Sequence, residues 1–361
     1  MFLKTSSFSN CSAMAASDIS TKSPYKGRMD TSLGEELVLQ IITALPLSAA
    51  LKARCVCVAW KRLVKEAGLE PLEAGVSLIA LIHGMQQQKN LLAMFRAERA
   101  LYTASYQVAK MQFLHSQDEV NSEMHSVLVN WLILVHYKFK LTEASLELAI
   151  HFVVSFMTAV QVSRRRYQTL GVAALYIACK IKQGFALRLD FLSDITDHSS
   201  LIYDIMFMES EICRRVNVNA TVPLPVEFLP RFLKAAFLGN ITRLSNFSKP
   251  YSIALFFLDV SFTDEACAGH RPSLLAAAAV VCALRVLGCK EWSPHLEYYT
   301  QHSWDTVLTV SNHLVFRGGS LESESLQLKY ESARFGGYGK EDQQNGCLGD
   351  INLFYEQHVC L

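Results

Sequence analysis

The chain has 361 residues, of which 51% are hydrophobic and 19% charged, with a formal net charge of +1. That length supports two or three separately packed domains, and the near-neutral charge gives no electrostatic basis for binding nucleic acid or an acidic membrane surface. No apolar run approaches the ~18 residues that span a bilayer. The longest, Leu274 to Leu284, stops at Arg285, so the apolar excess predicts helices buried on most sides.

Residues 1–30 are Ser-rich and poor in apolar residues, the composition of a disordered arm. Met1-Phe2-Leu3 is too brief for a signal-peptide core, and one arginine is too few for a typical transit peptide. Ser23-Pro24-Tyr25-Lys26 fits the Ser-Pro-x-Lys pattern of proline-directed kinases, which makes Ser23 a candidate phosphosite. From residue 31 to 70 the character changes. Leu37, Ile41 and Leu45 recur every four residues and share a helix face. Pro46 ends that helix, Ser48 can cap the next, and Trp60 and Leu63 close a three-helix module.

Residues 71–117 read as a helical linker. Within it, Leu92, Phe95, Tyr102, Tyr106, Ala109 and Phe113 form one stripe of a helix from Leu91 to about Gln117, packed across the domain that follows. From about Asp118 to Val315 helix follows helix. Met124, Val127, Leu128, Trp131, Leu132 and Val135 mark one face. A helix through Met157 is apolar almost all round and so central, and Tyr167 to Lys180 is rich in Gly171, Ala173, Ala174 and Ala178, which lets neighbouring helices approach closely. An offset of 105 residues sets Arg166 on Arg271, Leu170 on Leu275, Ala173 on Ala278, Ala174 on Ala279, Ala178 on Ala283 and Lys180 opposite Arg285. A small-residue helix used twice at domain-sized spacing predicts a duplicated helical bundle. Pro272 and Gly288 frame the second copy. Residues 339–361 are polar and lack periodicity, as a flexible tail would.

The ten cysteines have no regular spacing. Cys179, Cys213 and Cys282 fall in helical apolar patterns, where a thiol packs as a small hydrophobe; this usage suits the nucleus and/or cytoplasm. Cys55 and Cys57 have no second ligand pair at zinc spacing, so no metal is expected. The sequence has no Gly-rich phosphate loop, no Gly-x-Ser-x-Gly elbow and no His-Glu-x-x-His pair. The expectation is a non-catalytic protein without a cofactor. The Arg164-Arg165-Arg166 run reads as a solvated link and not a nucleic-acid site.

Met124-His125-Ser126-Val127-Leu128-Val129-Asn130-Trp131-Leu132 resembles the opening of a mitotic, A/B-like cyclin box. Leu148-Ala149-Ile150 resembles its second helix, Gly171-Val172-Ala173-Ala174 through Ala178-Cys179-Lys180 its third, and Ile195-Thr196-Asp197 the link before the fifth, which carries Glu209. Leu255 to Asp259, Leu274 to Ala283 and Trp292 resemble a second repeat, and Leu326 to Tyr338, with Lys329-Tyr330, the closing segment; the likeness covers about 220 residues. Leu33-Gly34-Glu35-Glu36-Leu37, Ile41, Leu45-Pro46-Leu47, Arg54-Cys55-Val56 and Trp60 resemble an F-box, and the pairing resembles the F-box cyclins, although the connection of about 50 residues is shorter than theirs. The resemblance implies an all-α fold: an F-box-like module over 31–70, then two tandem five-helix cyclin repeats over 118–222 and 223–338.

It also implies three sites. Met124, Val127, Leu128, Trp131 and Gln168 match the patch that holds Arg-x-Leu-type segments of target proteins, with Leu134 where an acidic residue helps select the arginine. Lys180 and Glu209 match the pair that grips the activating helix of a cyclin-dependent kinase, with Ile181 and Val218 in place of larger aromatics. His125 and Val154 stand where the family has a bracing Arg–Asp pair. Leu33, Glu36, Leu37, Ile41, Leu45, Pro46 and Trp60 would divide between the F-box core and a face for a Skp1-type adaptor and its cullin complex. The implied function is a substrate-recruiting subunit of a cullin–RING ubiquitin ligase in cell-cycle control, working by tethering. The alternative is a regulatory subunit that activates a cyclin-dependent kinase.

Overall fold

The structure, a computed structural model, describes residues 78–216, 218, 222–237, 247–320, 323–332 and 347–358, with side chains from residue 89 onward. Residues 94–361 belong to one compact unit and residues 8–93 to another, of which the helix backbone from Leu78 is described. Ser23 and the F-box-like residues Leu33, Glu36, Leu37, Ile41, Leu45, Pro46 and Trp60 lie outside the described residues. Among the described residues every regular element is a helix, and none is long and apolar enough to cross a membrane.

Helix α1 (Leu78–Leu101) and α2 (Ala104–Met111) precede two sets of five. The first set is α3 (Ser122–Lys138), α4 (Glu143–Met157), α5 (Arg164–Lys182), α6 (Leu189–Asp194) and α7 (Ile202–Arg215). The second is α8 (Pro225–Ala236), α9 (Ser248–Phe262), α10 (Pro272–Val286), α11 (Pro294–Thr300) and α12 (Trp304–Ser320). Two further helices follow, α13 (Glu324–Tyr330) and α14 (Cys347–His358).

The 105-residue echo falls on like elements. In each set the Ala-rich third helix packs along the apolar second, α5 on α4 and α10 on α9. Leu170, Ala173, Ala174 and Ala178 are buried, as are Leu275, Ala278, Ala279 and Ala283. Lacking bulky side chains there, the third helices lie close to their partners, and α4 is apolar nearly all round because it is enclosed. Even the polar ends correspond: Lys180 bonds Glu209, and Arg285 bonds Glu291 at 2.8 Å. Pro272 starts α10, while Gly288 ends it with φ +59°, a left-handed position that glycine takes without steric cost.

Three differences from the sequence-based expectation have physical causes. The single helix expected from Leu91 to Gln117 is broken at Thr103, whose extended backbone caps α2 by accepting from Tyr106 N–H. The break shifts the helical phase, so that Ala109 is exposed and Lys110 points inward. Cys179 and Cys282 are buried, but Cys213 is exposed because Ile205, Met208 and Ile212 already fill the inward stripe of α7. Residues 347–358, expected as part of a flexible tail, form α14, which buries Cys347 and Ile351 against α9, α10 and α13.

Lys110 is buried, with Nζ 3.1 Å from His151 Nδ1 and over the rings of Tyr102 and Tyr106. Burial pulls its pKa from 10.5 down to about 7. Between those values the unfolded chain holds a proton that the folded chain lacks, so this group makes stability rise with pH from about 7 upward. Relative to Lys110→Met, which keeps the apolar stem, the parent protein is expected to gain in urea midpoint between pH 7 and pH 9.5. A parent-to-variant difference that stays flat across that range would contradict the assignment.

Candidate functional site

Lys180 sits in the last turn of α5, where the helix carbonyls favour a cation. Its Nζ donates to Glu209 Oε1 of α7 at 2.7 Å and lies 3.8 Å from the centroid of the Tyr176 ring. Burial works against this charge, but the hydrogen bonds to Glu209 and Tyr176 outweigh it and raise the lysine pKa. The two side chains keep 37% and 24% of their surface open, so the pair remains accessible.

Helix α7 carries more apolar residues than its core stripe needs. With Ile205, Met208 and Ile212 buried, Tyr203, Met206 and Phe207 project to solvent at 76%, 50% and 45% exposure. Met206, Glu209 and Cys213 follow the spacing of one helical row, and the Arg166 guanidinium lies 5.5 Å from the Phe207 ring centroid. Ile181 and Val218 are part-buried. Of the three exposed α7 residues, Met206 shares the row of Glu209, while Tyr203 and Phe207 form a separate i, i+4 row; an accessible ion pair on a helix that also exposes large apolar side chains has the make-up of a protein-binding surface. The aromatic excess on α7 was legible, since Tyr203, Met206 and Phe207 fall off the period set by Ile205, Met208 and Ile212; sequence reasoning had singled out Glu209 alone.

The opening helix of the box presents itself differently from expectation. Met124 (7%), Leu128 (2%) and Trp131 (7%) are buried, leaving Val127 at the surface at 38% and Gln168 part-buried, accepting from the Ser199 hydroxyl at 3.2 Å. Helix α3 packs against α4, α5, α9 and α13, and Leu128 seats directly on α5, where a Cβ at Gly171 would lie 2.9 Å from Leu128 Cδ1. Asn130 Oδ1 accepts from Ser323, which caps α13, and from Ser325 within it. Met124, Leu128 and Trp131 are thus mostly packed inward, and Val127 is the most open to solvent of the five patch residues. Leu134 is part-buried.

His125, at one of the two positions where the resemblance implies an Arg–Asp pair, makes two hydrogen bonds of its own. The Phe262 carbonyl can only accept, so His125 Nε2–H donates to it at 3.2 Å, and Nδ1 accepts from the Tyr167 hydroxyl at 2.9 Å. Burial lowers the His125 pKa to about 4, which keeps the ring neutral at physiological pH. One side chain thereby ties α3 to α5 and to the end of α9, and Val154, where the family's aspartate would stand, strands no charge.

The fold defines a two-repeat, five-plus-five helical protein with an accessible Lys–Glu pair at the first repeat's surface. Residues 94–221 match the cyclin N-terminal domain and residues 223–343 the cyclin C-terminal domain. The chain belongs to the cyclin family. It is 32% identical over 228 residues to Cyclin-B2-1 of Oryza sativa subsp. japonica, covering 62% of this chain and 52% of that protein. It is 31% identical over 227 residues to G2/mitotic-specific cyclin-2 of Medicago sativa, covering 62% and 67%. With G2/mitotic-specific cyclin-B1 of Anguilla japonica it shares 28% over 208 residues, 58% of this chain and 49% of that protein. The chain spans about half the length of most of these relatives. Among solved structures, a viral cyclin from herpesvirus saimiri superposes with a TM-score of 0.57 at 16% identity, over 66% of this chain and 99% of that one, a likeness of fold.

These comparisons overturn the ubiquitin-ligase reading. No F-box domain is detected, and the relatives are named as B-type and G2/mitotic-specific cyclins. The Skp1-type adaptor and cullin complex lose their support together with it. An F-box-like impression arises easily from Leu37, Ile41, Leu45-Pro46 and Trp60, because any short amphipathic helix ended by proline repeats apolar residues every three or four positions. As a cyclin the chain is a non-catalytic protein.

Proposed function

We propose that this chain is a regulatory subunit that binds and activates a cyclin-dependent protein kinase in cell-cycle control, acting in the nucleus and/or cytoplasm. The observation that carries the reading is the Lys180–Glu209 pair, joined at 2.7 Å and left accessible on a helix that also exposes Tyr203, Met206 and Phe207. Relatives named as mitotic-specific cyclins support the setting. The cyclin contributes no chemistry; it activates by binding the productive arrangement of the kinase more tightly than the idle one, which shifts the population toward it. The ion pair supplies orientation, because its remaining donors and acceptors can bond a partner's backbone or side chains, and the apolar residues supply burial.

The test is to add the purified full-length chain to monomeric cyclin-dependent kinases from the same organism and follow phosphate transfer to a protein substrate. Stimulation of at least one kinase, saturating at a one-to-one ratio, is expected. Neither binding nor stimulation across the set would remove the reading.

A further inference from the structure

A second cluster of chemistry-bearing side chains lies far from this surface in sequence, at the turn that follows α9. Asp264 precedes a short 3₁₀ segment, Glu265–Cys267, whose three residues per turn bring positions 264 and 267 to the same side. His313 reaches the turn from α12. The Asp264 carboxylate, Cys267 sulfur and a His313 ring nitrogen all lie within 4.8 Å of one another, with Asp264 Oδ2 2.8 Å from His313 Nε2. We propose that Asp264, Cys267 and His313 form a binding site for a thiophilic divalent cation, for which Zn²⁺ is the best fit.

The ligand set makes the choice. One thiolate, one imidazole and one carboxylate suit Zn²⁺ or Co²⁺, whereas Mg²⁺ and Ca²⁺ take oxygen ligands. A tetrahedral ion with bonds of about 2.0–2.3 Å sets its ligand atoms roughly 3.3–3.7 Å apart. Moving from the observed spacing to that one is an adjustment of about 1 Å, within reach of rotation about His313, which is part-exposed. Asp264 is already oriented: its Oδ1 accepts from Ala266 N–H at 3.0 Å, so Oδ2 is held toward His313. A water would complete four ligands.

Two features set the cost of binding. Arg317 Nε lies 2.9 Å from Asp264 Oδ2 and competes for that oxygen. Burial also keeps the Cys267 thiol protonated, so uptake releases that proton to solvent as the sulfur–metal bond forms. Once bound, the carboxylate and thiolate neutralise the dication, and Arg317 can stay on the outer side of the carboxylate. The ion would staple the turn after α9 to α12.

Co²⁺ is the probe, added to the full-length chain under reducing conditions. One equivalent is expected to produce a sulfur-to-cobalt charge-transfer band in the near ultraviolet, lost on adding Zn²⁺. Cys267→Ala and His313→Ala should each weaken Co²⁺ binding by about tenfold or more, since even outer hydrogen-bond partners of metal ligands are worth that much. His313→Ala changes a part-exposed side chain and should keep the parent's far-ultraviolet circular dichroism, which separates ligand loss from unfolding. Arg317→Gln should bind Co²⁺ at least as tightly as the parent. No band, or a band of unchanged affinity in either ligand variant, would show that these residues form an ion-pair cluster only.

Discussion

Replacing Lys329 by methionine is expected to lower the free energy of unfolding by about 3–5 kcal/mol, the cost of breaking a buried ion pair from one side. Lys329 is fully buried, and its Nζ donates to Asp259 at 2.7 Å and to Glu143 at 2.8 Å. Burial opposes the lysine charge, yet the two carboxylates outweigh it and raise its pKa. The Tyr330 hydroxyl donates to the same Asp259 oxygen at 2.7 Å. Glu143 belongs to α4 of the first repeat, Asp259 to α9 of the second and Lys329 to α13, so one ammonium group joins three helices. Methionine matches the stem in volume but leaves the Asp259 and Glu143 carboxylates without their shared cation, Asp259 keeping the Tyr330 hydroxyl and Glu143 the His136 ring. Against a typical total of about 5–15 kcal/mol the loss is large. Urea unfolding measures it, and adding Asp259→Asn to Lys329→Met should recover part of it, because one stranded charge is then gone. A Lys329→Met protein as stable as the parent would mean that this junction is not what holds the repeats together.

Charge reversal at Glu209 is expected to weaken kinase binding by about 30-fold or more while leaving the fold intact. That factor corresponds to roughly 2 kcal/mol, the low end for breaking a charged hydrogen bond buried by an interface. In the free chain the same pair is accessible, and exposed pairs contribute only about 0–1 kcal/mol to stability. Glu209→Arg therefore separates binding from folding. It places a second cation beside Lys180, removes the acceptor, and leaves Ile205, Met208 and Ile212 in the core untouched. Titration calorimetry against the kinase reads the affinity, and thermal unfolding of the free variant should match the parent within a few degrees. Unchanged affinity would mean that the partner docks elsewhere.

Much of this architecture was legible because it repeats. The Ala-rich stretches at Tyr167–Lys180 and Leu274–Leu284 announce close helix packing, and their common offset predicts the duplication that α5 and α10 display. Lys180 and Glu209 were found by likeness to a family, and the structure joins them. What could not be read depended on helix phase and on long-range partners. Thr103 interrupts an even helical pattern and so carries Lys110 inward, which no periodicity suggests. Met124, Leu128 and Trp131 have the same apolar spacing whether they line a slot or fill a core; Gly171 and the neighbours of α3 decide, and those lie elsewhere in the sequence. The cluster of Asp264, Cys267 and His313 escaped notice for a related reason, since its third member is 46 residues beyond the second.

Hydrogen exchange of the full-length chain, with and without a bound cyclin-dependent kinase, tests the docking face most directly. Slowed exchange confined to residues 176–182 and 202–215, with amides around 264–270 and 304–314 unaffected, is the predicted result. Protection that appears only in the second repeat, or none at α5 and α7 once the complex has formed, would contradict the account.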